Sequence, residues 1–326
     1  MNKVKRELLR IIKQVANLPQ RAQVAAVRIN NKCRRPSYTS KPISKIIVEG
    51  HVLNSFKHHK NKISADIILI CAFTERFDMI STAIKETLKQ NTKKPLHIKW
   101  VLVGSTKKDF DFIAKISRST KNVCGFLTQN SPLGGKWQAA VRAARQIYEA
   151  ELFGIIGSDD IISNSLINHI FSQYLRDQRE EKKLNLPSPS LFAPTEWIMT
   201  ACRGNKLGPN IFRCYYRLNN YQQPLGAGRF YTKECLSSFN DIIFDGRKEN
   251  NLDNKGWDLI KANCLPVAYY NLSQGVLASI KGPWESLNSA DVITQSNTVC
   301  VEEYSFKGNK LLQSSFSKET FDFITE

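Results

Sequence analysis

Zinc and redox signatures are missing from this 326-residue chain. Its eight cysteines (33, 71, 124, 202, 214, 235, 264 and 300) include no CxxC pair and no zinc-like spacing, and its five histidines (51, 58, 59, 97 and 169) form no HExxH or similar pattern. The thiols therefore read as reduced, small core residues in a cytosolic compartment, with Cys71 and Cys124 inside apolar stretches. Long hydrophobic runs are absent too. The run 67–73 is far too short to span a bilayer, and Arg10 and Lys13 interrupt what would otherwise be a signal-peptide core. The expectation is a chain neither secreted by that route nor membrane-spanning. Acidic residues are scarce at the N-terminal end, where residues 1–62 hold 15 Lys and Arg against Glu7 and Glu49, a net +13 of the chain's total +18. The body is close to balance, so a basic partner-binding surface would belong to the N-terminal segment.

That segment carries a pattern of its own. At 100° per residue, Val4, Leu8, Ile11, Ile12, Val15 and Leu18 share one side of a helical wheel, with Arg6, Arg10 and Lys13 opposite, until Pro19 ends the run. Two readings stand level. Residues 1–20 form an interfacial helix on an anionic membrane, or the apolar stripe packs on the body or on a second subunit. Residues 31–45 and 58–62 read as basic linkers. The organisation expected is an N-terminal extension and linker over 1–62 and one large domain over 63–326, with a first half at 63–175 and a second half with a C-terminal tail at 176–326.

With 42% hydrophobic residues the body has material for a sizeable core. From residue 66 apolar runs and amphipathic stretches alternate: strands at 66–73, 97–104 and 122–127, helices at 78–90, 107–119 and 134–150, then a strand from 152 that ends at Ser158. This predicts an α/β fold with a mostly parallel sheet, helices on both faces, and a ligand crevice at the carboxyl ends of the strands. Thr74, Glu75 and Arg76, then Gly104 and Ser105, and then Gly157-Ser158-Asp159-Asp160 fall at those ends. Two adjacent carboxylates at a strand's exit suit Mg²⁺ or Mn²⁺, which takes oxygen ligands and shares them with substrate phosphates. Taken alone, they suit still better the cap of a helix starting near Ser163. Gly134 and Gly135 open a helix where backbone N–H groups could approach an anion, with Lys136 adding charge and Trp137 facing the core. No Walker or Rossmann fingerprint is matched.

The aspartate pair after a strand-helix half, preceded by the glycine-bearing, Ala- and Arg-rich stretch 133–145, resembles the nucleotide-sugar glycosyltransferases of the Rossmann-like GT-A fold, family 2 in particular. Over roughly residues 66–270 the order of motifs is similar. Gly157-Ser158-Asp159-Asp160 stands where that family has its DxD-type metal motif, with Gly157 in place of the first Asp, and no QxxRW stretch follows, which argues against a processive polysaccharide synthase. The resemblance implies an inverting transfer from a nucleoside-diphosphate sugar, a UDP-sugar foremost, to an acceptor hydroxyl on a glycan, a lipid-linked molecule or a protein. It implies a divalent cation (Mn²⁺ or Mg²⁺) on Asp159 and Asp160. Donor contacts are implied at Thr74, Glu75, Arg76, Gly104, Ser105, Gly134, Lys136, Ser158 and Asp159, and at Gly228 and Arg229 in the glycine loop 224–229. Arg229 serves equally as a salt-bridge partner closing a tight turn. The catalytic base falls in 250–258, at Asp253 or Asp258. On a helix their spacing of five residues sets them about 140° apart, so at most one is the base; Asp253 is preferred, although an Asp there is also a good N-cap. Trp257 reads as core or as a sugar platform. No nucleic-acid partner is expected; the thiols point to a cytoplasmic location, on the inner membrane face if residues 1–20 are the interfacial helix. The alternative is a non-catalytic membrane- or nucleic-acid-binding module on a similar scaffold.

Overall fold

Near-continuous apolar runs become the centre of the main sheet. In the computed structural model, which describes residues 45–53, 62–90, 95–185, 187–201, 210–216, 224–281 and 299–325, strand β4 (Ile67–Ala72) is buried along its whole length. The chain divides into two units, Met1–Pro42 and Ile43–Glu326. The first lies outside the described residues, and with it the amphipathic stretch of 4–18 and the membrane contact expected of it.

The described chain starts with a hairpin, β1 (Ile46–Val48) and β2 (His51–Leu53), and a short β3 (Ile63–Ser64). Then come β4, α1 (Phe77–Leu88), β5 (Ile98–Gly104), α2 (Lys107–Thr120), β6 (Val123–Leu127), α3 (Leu133–Ile147), β7 (Tyr148–Glu149), β8 (Leu152–Ile155), β9 (Asp160–Ile162) and α4 (Asn164–Leu184). The second half holds β10 (Leu191–Pro194), β11 (Glu196–Ala201), β12 (Asn210–Tyr216), β13 (Arg229–Thr232), α5 (Lys233–Ser238), α6 (Asn254–Ala262), β14 (Val267–Tyr270), β15 (Leu277–Lys281), β16 (Val299–Glu303), α7 (Ser305–Ser315) and α8 (Lys318–Thr325).

Nine strands form the main sheet in the order β14-β10-β13-β8-β4-β5-β6-β1-β2. The central four, β8, β4, β5 and β6, are parallel. Only β13 and β1 run against the common direction, so seven of the nine strands agree in sense. The expected α/β architecture is therefore present, and β1 and β2, which precede residue 63, belong to its sheet.

Alternation along β4 separates two cores. Ile67, Leu69 and Cys71 pack with Ile80 and Ile84 of α1, Ile113 of α2, Leu166 of α4, and Trp197 and Leu277 of the second sheet. Ile68 and Ile70 pack with Ala140, Val141 and Ala144 of α3, Leu236 of α5 and Trp257 of α6. Each fully buried Ile or Leu contributes about 1.5–3 kcal/mol, which makes these two layers the frame that holds the strand ends in place.

A five-stranded sheet, β16-β12-β11-β15-β9, stands beside the first. Antiparallel pairing of β9 with β15 sets Ser279 opposite Asp160 and Leu277 opposite Ile162. The C-terminal helices are a packing tail where described: the Ser317 hydroxyl donates to Glu86 of α1 at 2.8 Å, and Tyr304 N–H donates to the Ile211 carbonyl at 2.8 Å. Residues 282–298 lie outside the described residues.

Candidate active site

Four loops meet at the carboxyl ends of β4, β5, β6 and β8, and one buried carboxylate organises two of them. Asp109, with no exposed surface, accepts from Glu75 N–H at 3.0 Å, Ser105 N–H at 2.7 Å and Thr106 N–H at 2.9 Å. It also completes a capping box with Thr106 at the start of α2. Gly104 is glycine for this reason, since a Cβ there would overlap the Asp109 side chain. Sequence reasoning missed Asp109, although Thr106-x-x-Asp109 is a legible cap pattern. The Glu75 side chain points outward to Lys108 at 3.6 Å.

Asn130, also missed, ties the third loop in. Its side-chain oxygen accepts from Thr74 at 3.4 Å, Ser105 at 3.3 Å and Lys136 at 3.1 Å. The Lys136 ammonium is buried, and it further donates to the Phe73 carbonyl at 2.5 Å and to Thr74 Oγ1 at 3.2 Å. Burial pulls its pKa down to about 8, with Asp109 opposing. The expectation of an open anion site at the start of α3 needs correction. Gly134 N–H donates to the Lys248 carbonyl at 2.8 Å, and Leu133 N–H to Glu249 at 2.9 Å. The helix N-terminus is thus covered by the chain's own oxygens, and Gly134 lets the 245–248 backbone pass where a Cβ would overlap the Asp245 carbonyl. Trp137 is half-buried against Phe244, with ring centroids 5.6 Å apart.

Beyond β8 the chain turns through Gly157-Ser158-Asp159-Asp160 into β9. The helix-cap reading of the two aspartates does not hold, because Ser163 caps α4, its hydroxyl accepting from Leu166 N–H. Instead the pair is held by charge. Asp159 Oδ2 lies 2.6 Å from Lys281 Nζ and Oδ1 lies 3.7 Å from Arg76, whose guanidinium also donates to Ser158 Oγ at 2.9 Å. Burial acts to raise the Asp159 carboxyl, but Lys281 and then Arg76 outweigh it and hold it below the usual carboxylate range. Asp160 is 4% exposed and folds back to accept from Ser279 and the Gly157 backbone; burial first and Asp159 second push it up to about 7. Lys281, missed by sequence reasoning, comes from a strand 122 residues downstream.

The two aspartates do not, as placed, present a fit for a hard divalent ion. Both oxygens of Asp159 face cations, Asp160 is turned into the protein, and no group of three His, Cys, Asp or Glu side chains converges among the described residues.

The glycine loop closes the same rim. Gly228 N–H donates to the Ile155 carbonyl at 2.7 Å, placing the 224–229 loop beside the end of β8. Arg229 does not present its guanidinium to a donor. It is 1% exposed and donates to the carbonyls of Pro224 at 2.6 Å, Leu225 at 3.0 Å and Asp253 at 2.8 Å, and to Asp253 Oδ2 at 3.2 Å. The salt-bridged turn is the arrangement observed. Asp253 stands just before α6 without capping it, its carboxylate against Gly226 and 32% exposed. Asp258 lies on the outer face of α6, 3.5 Å from Lys261, and Trp257 is core at 5% exposed.

No family model matches the sequence, and no curated protein matches it. Among solved structures the chain is similar to S. aureus TarS. The TarS 1–349 complex with UDP-GlcNAc aligns with a TM-score of 0.48 and 16% identity, covering 68% of this chain and 59% of that one. TarS 1–349 gives 0.45 and 15%, covering 66% and 60%, and its complex with UDP gives 0.44 and 15%, covering 67% and 61%. The chain thus spans about 60% of the length of these structures. Among the described residues no helix is long and apolar enough to cross a membrane, and no disulfide joins the cysteines.

Proposed function

We propose that the chain is a nucleotide-sugar glycosyltransferase, transferring a sugar from a nucleoside-diphosphate donor, a UDP-sugar first, to an acceptor hydroxyl on a glycan, lipid-linked molecule or protein. One observation carries the reading: the turn 157–160, Arg76 and the loop that leans on Asp253 all meet at the carboxyl end of β8, the outer strand of the central parallel four, where the reversed β13 joins it. The motif order that resembles family 2 supports it independently.

In this reading the donor diphosphate lies along the 157–160 turn and Arg76, and the 224–229 loop forms the side wall that Arg229 keeps rigid. The acceptor oxygen attacks the anomeric carbon, the bond from that carbon to the β-phosphate oxygen breaks with its electron pair passing to that oxygen, and the acceptor proton passes to Asp253. The product is inverted. Asp253 suits the base role better than Asp258, because it belongs to the rim while Asp258 pairs outward with Lys261. General-base help is typically worth about 10²- to 10⁴-fold.

The test is nucleotide release from a panel of UDP-, GDP- and ADP-sugars. Asp253→Asn should slow release by that factor while nucleotide binding persists, and Asp258→Asn should leave both intact. Full turnover in Asp253→Asn moves the base elsewhere. Absence of release from every donor, with and without added acceptor sugars, removes the reading.

A further inference from the structure

We propose that Arg76 and Lys281, in place of a divalent ion, supply the positive charge that holds the donor diphosphate at the Asp159 turn; this rests on the glycosyltransferase reading above. The two oxygens of a single carboxylate are approached by two different cations, Lys281 at 2.6 Å and Arg76 at 3.7 Å. A carboxylate so placed stands where an oxygen of a phosphate would be welcome, and a second positive ion beside them would meet like charge.

Lys281 is no wandering surface lysine. Ile280 N–H donates to the Asp159 carbonyl at 2.7 Å, so the β9–β15 ladder fixes the backbone beside it, and the Lys281 side chain is 5% exposed. A buried ammonium in that position needs an anionic partner, and Asp159 supplies it. Arg76 and Asp159, at 22% and 17% side-chain exposure, remain within reach of an incoming ligand. Asp160 cannot share the work of an ion, since its carboxylate is engaged by Ser279 and the Gly157 backbone. In Asp159, then, the fold carries an internal counter-ion that the diphosphate displaces.

Calorimetric titration of the full chain with UDP, GDP and ADP, once in EDTA and once in excess Mn²⁺, separates the alternatives. At least one nucleotide should bind in EDTA as tightly as in Mn²⁺. Lys281→Met should weaken it by about tenfold or more, and Lys281→Arg should largely restore it. Asp159→Asn gives opposite signs on the two accounts: with a cation clamp the nucleotide binds as well or better, because its competitor is gone, whereas with a metal site binding disappears. This variant decides the matter even if Lys281→Met fails to fold. Binding seen only with Mn²⁺ and lost in Asp159→Asn overturns the clamp and leaves the glycosyltransferase reading standing. Binding of no nucleotide in either medium removes both.

Discussion

Replacing Asp109 by alanine should destabilise the protein more than any other single change at the rim. Three backbone N–H groups, of Glu75, Ser105 and Thr106, donate to its buried carboxylate. A hydrogen bond to a charged group is worth about 1.5–3 kcal/mol, which sets an upper bound near 9 kcal/mol. Glu75 is exposed and Ser105 only partly buried, so their N–H groups regain water once the carboxylate is gone. We therefore expect a loss of about 3–5 kcal/mol. Thr106→Ala, which removes only the cap, should lose about 1 kcal/mol. Urea unfolding followed by the fluorescence of tryptophans including Trp100, which is fully buried in β5, measures both. A loss in Asp109→Ala no larger than that in Thr106→Ala would refute the claim that this carboxylate holds the loop ends.

Gly134→Ala should lose about 1–3 kcal/mol or more, because its Cβ would overlap backbone at Asp245 rather than a movable side chain; thermal melts of the two proteins check it. Arg229→Met should destabilise by about 2–4 kcal/mol, because the carbonyls of Pro224, Leu225 and Asp253 lose their donor, and limited proteolysis should cut faster within 224–229. Lys136 sets a pH dependence. Its folded pKa of about 8 lies below the ordinary 10.5, so between those values the unfolded chain binds more protons and stability rises with pH. From pH 7.5 to 9.5 the urea stability of the wild type should therefore gain about 2 kcal/mol relative to Lys136→Met. No relative gain would mean that the ammonium is not strained by burial.

The parallel centre of the fold was legible because it is buried on both faces. Strands β4, β5, β6 and β8 read as apolar runs, and α1, α2 and α3 alternate with them, each predicted within three residues of its observed bounds. The reversed strands β13 and β1 were not legible as such, because pairing direction depends on partners far along the chain. The site divides in the same way. Asp159, Asp160 and Arg76 lie at strand ends, where position alone marks them, and Asp253 precedes its helix as expected. Lys281 is invisible locally: only the long-range β9–β15 ladder brings it to Asp159. The glycines at 134 and 135 misled because a glycine that admits an anion and one that admits a neighbouring backbone look alike in sequence. Arg229 stood evenly between a donor contact and a salt-bridged turn, and burial, which its own sequence does not show, decided between them.

The most direct trial of the account is a thermal-shift series on the full chain with nucleoside diphosphates, the matching monophosphates and inorganic phosphate. A ligand bound only by the folded state raises stability by RT ln(1 + [L]/Kd), about 2.7 kcal/mol at a hundredfold excess over Kd. The account predicts a clear rise for one nucleoside diphosphate, a smaller one for its monophosphate, and loss of the rise in Arg76→Met. An unchanged midpoint with every nucleotide, or a rise that survives in Arg76→Met, would contradict a donor site at the end of β8.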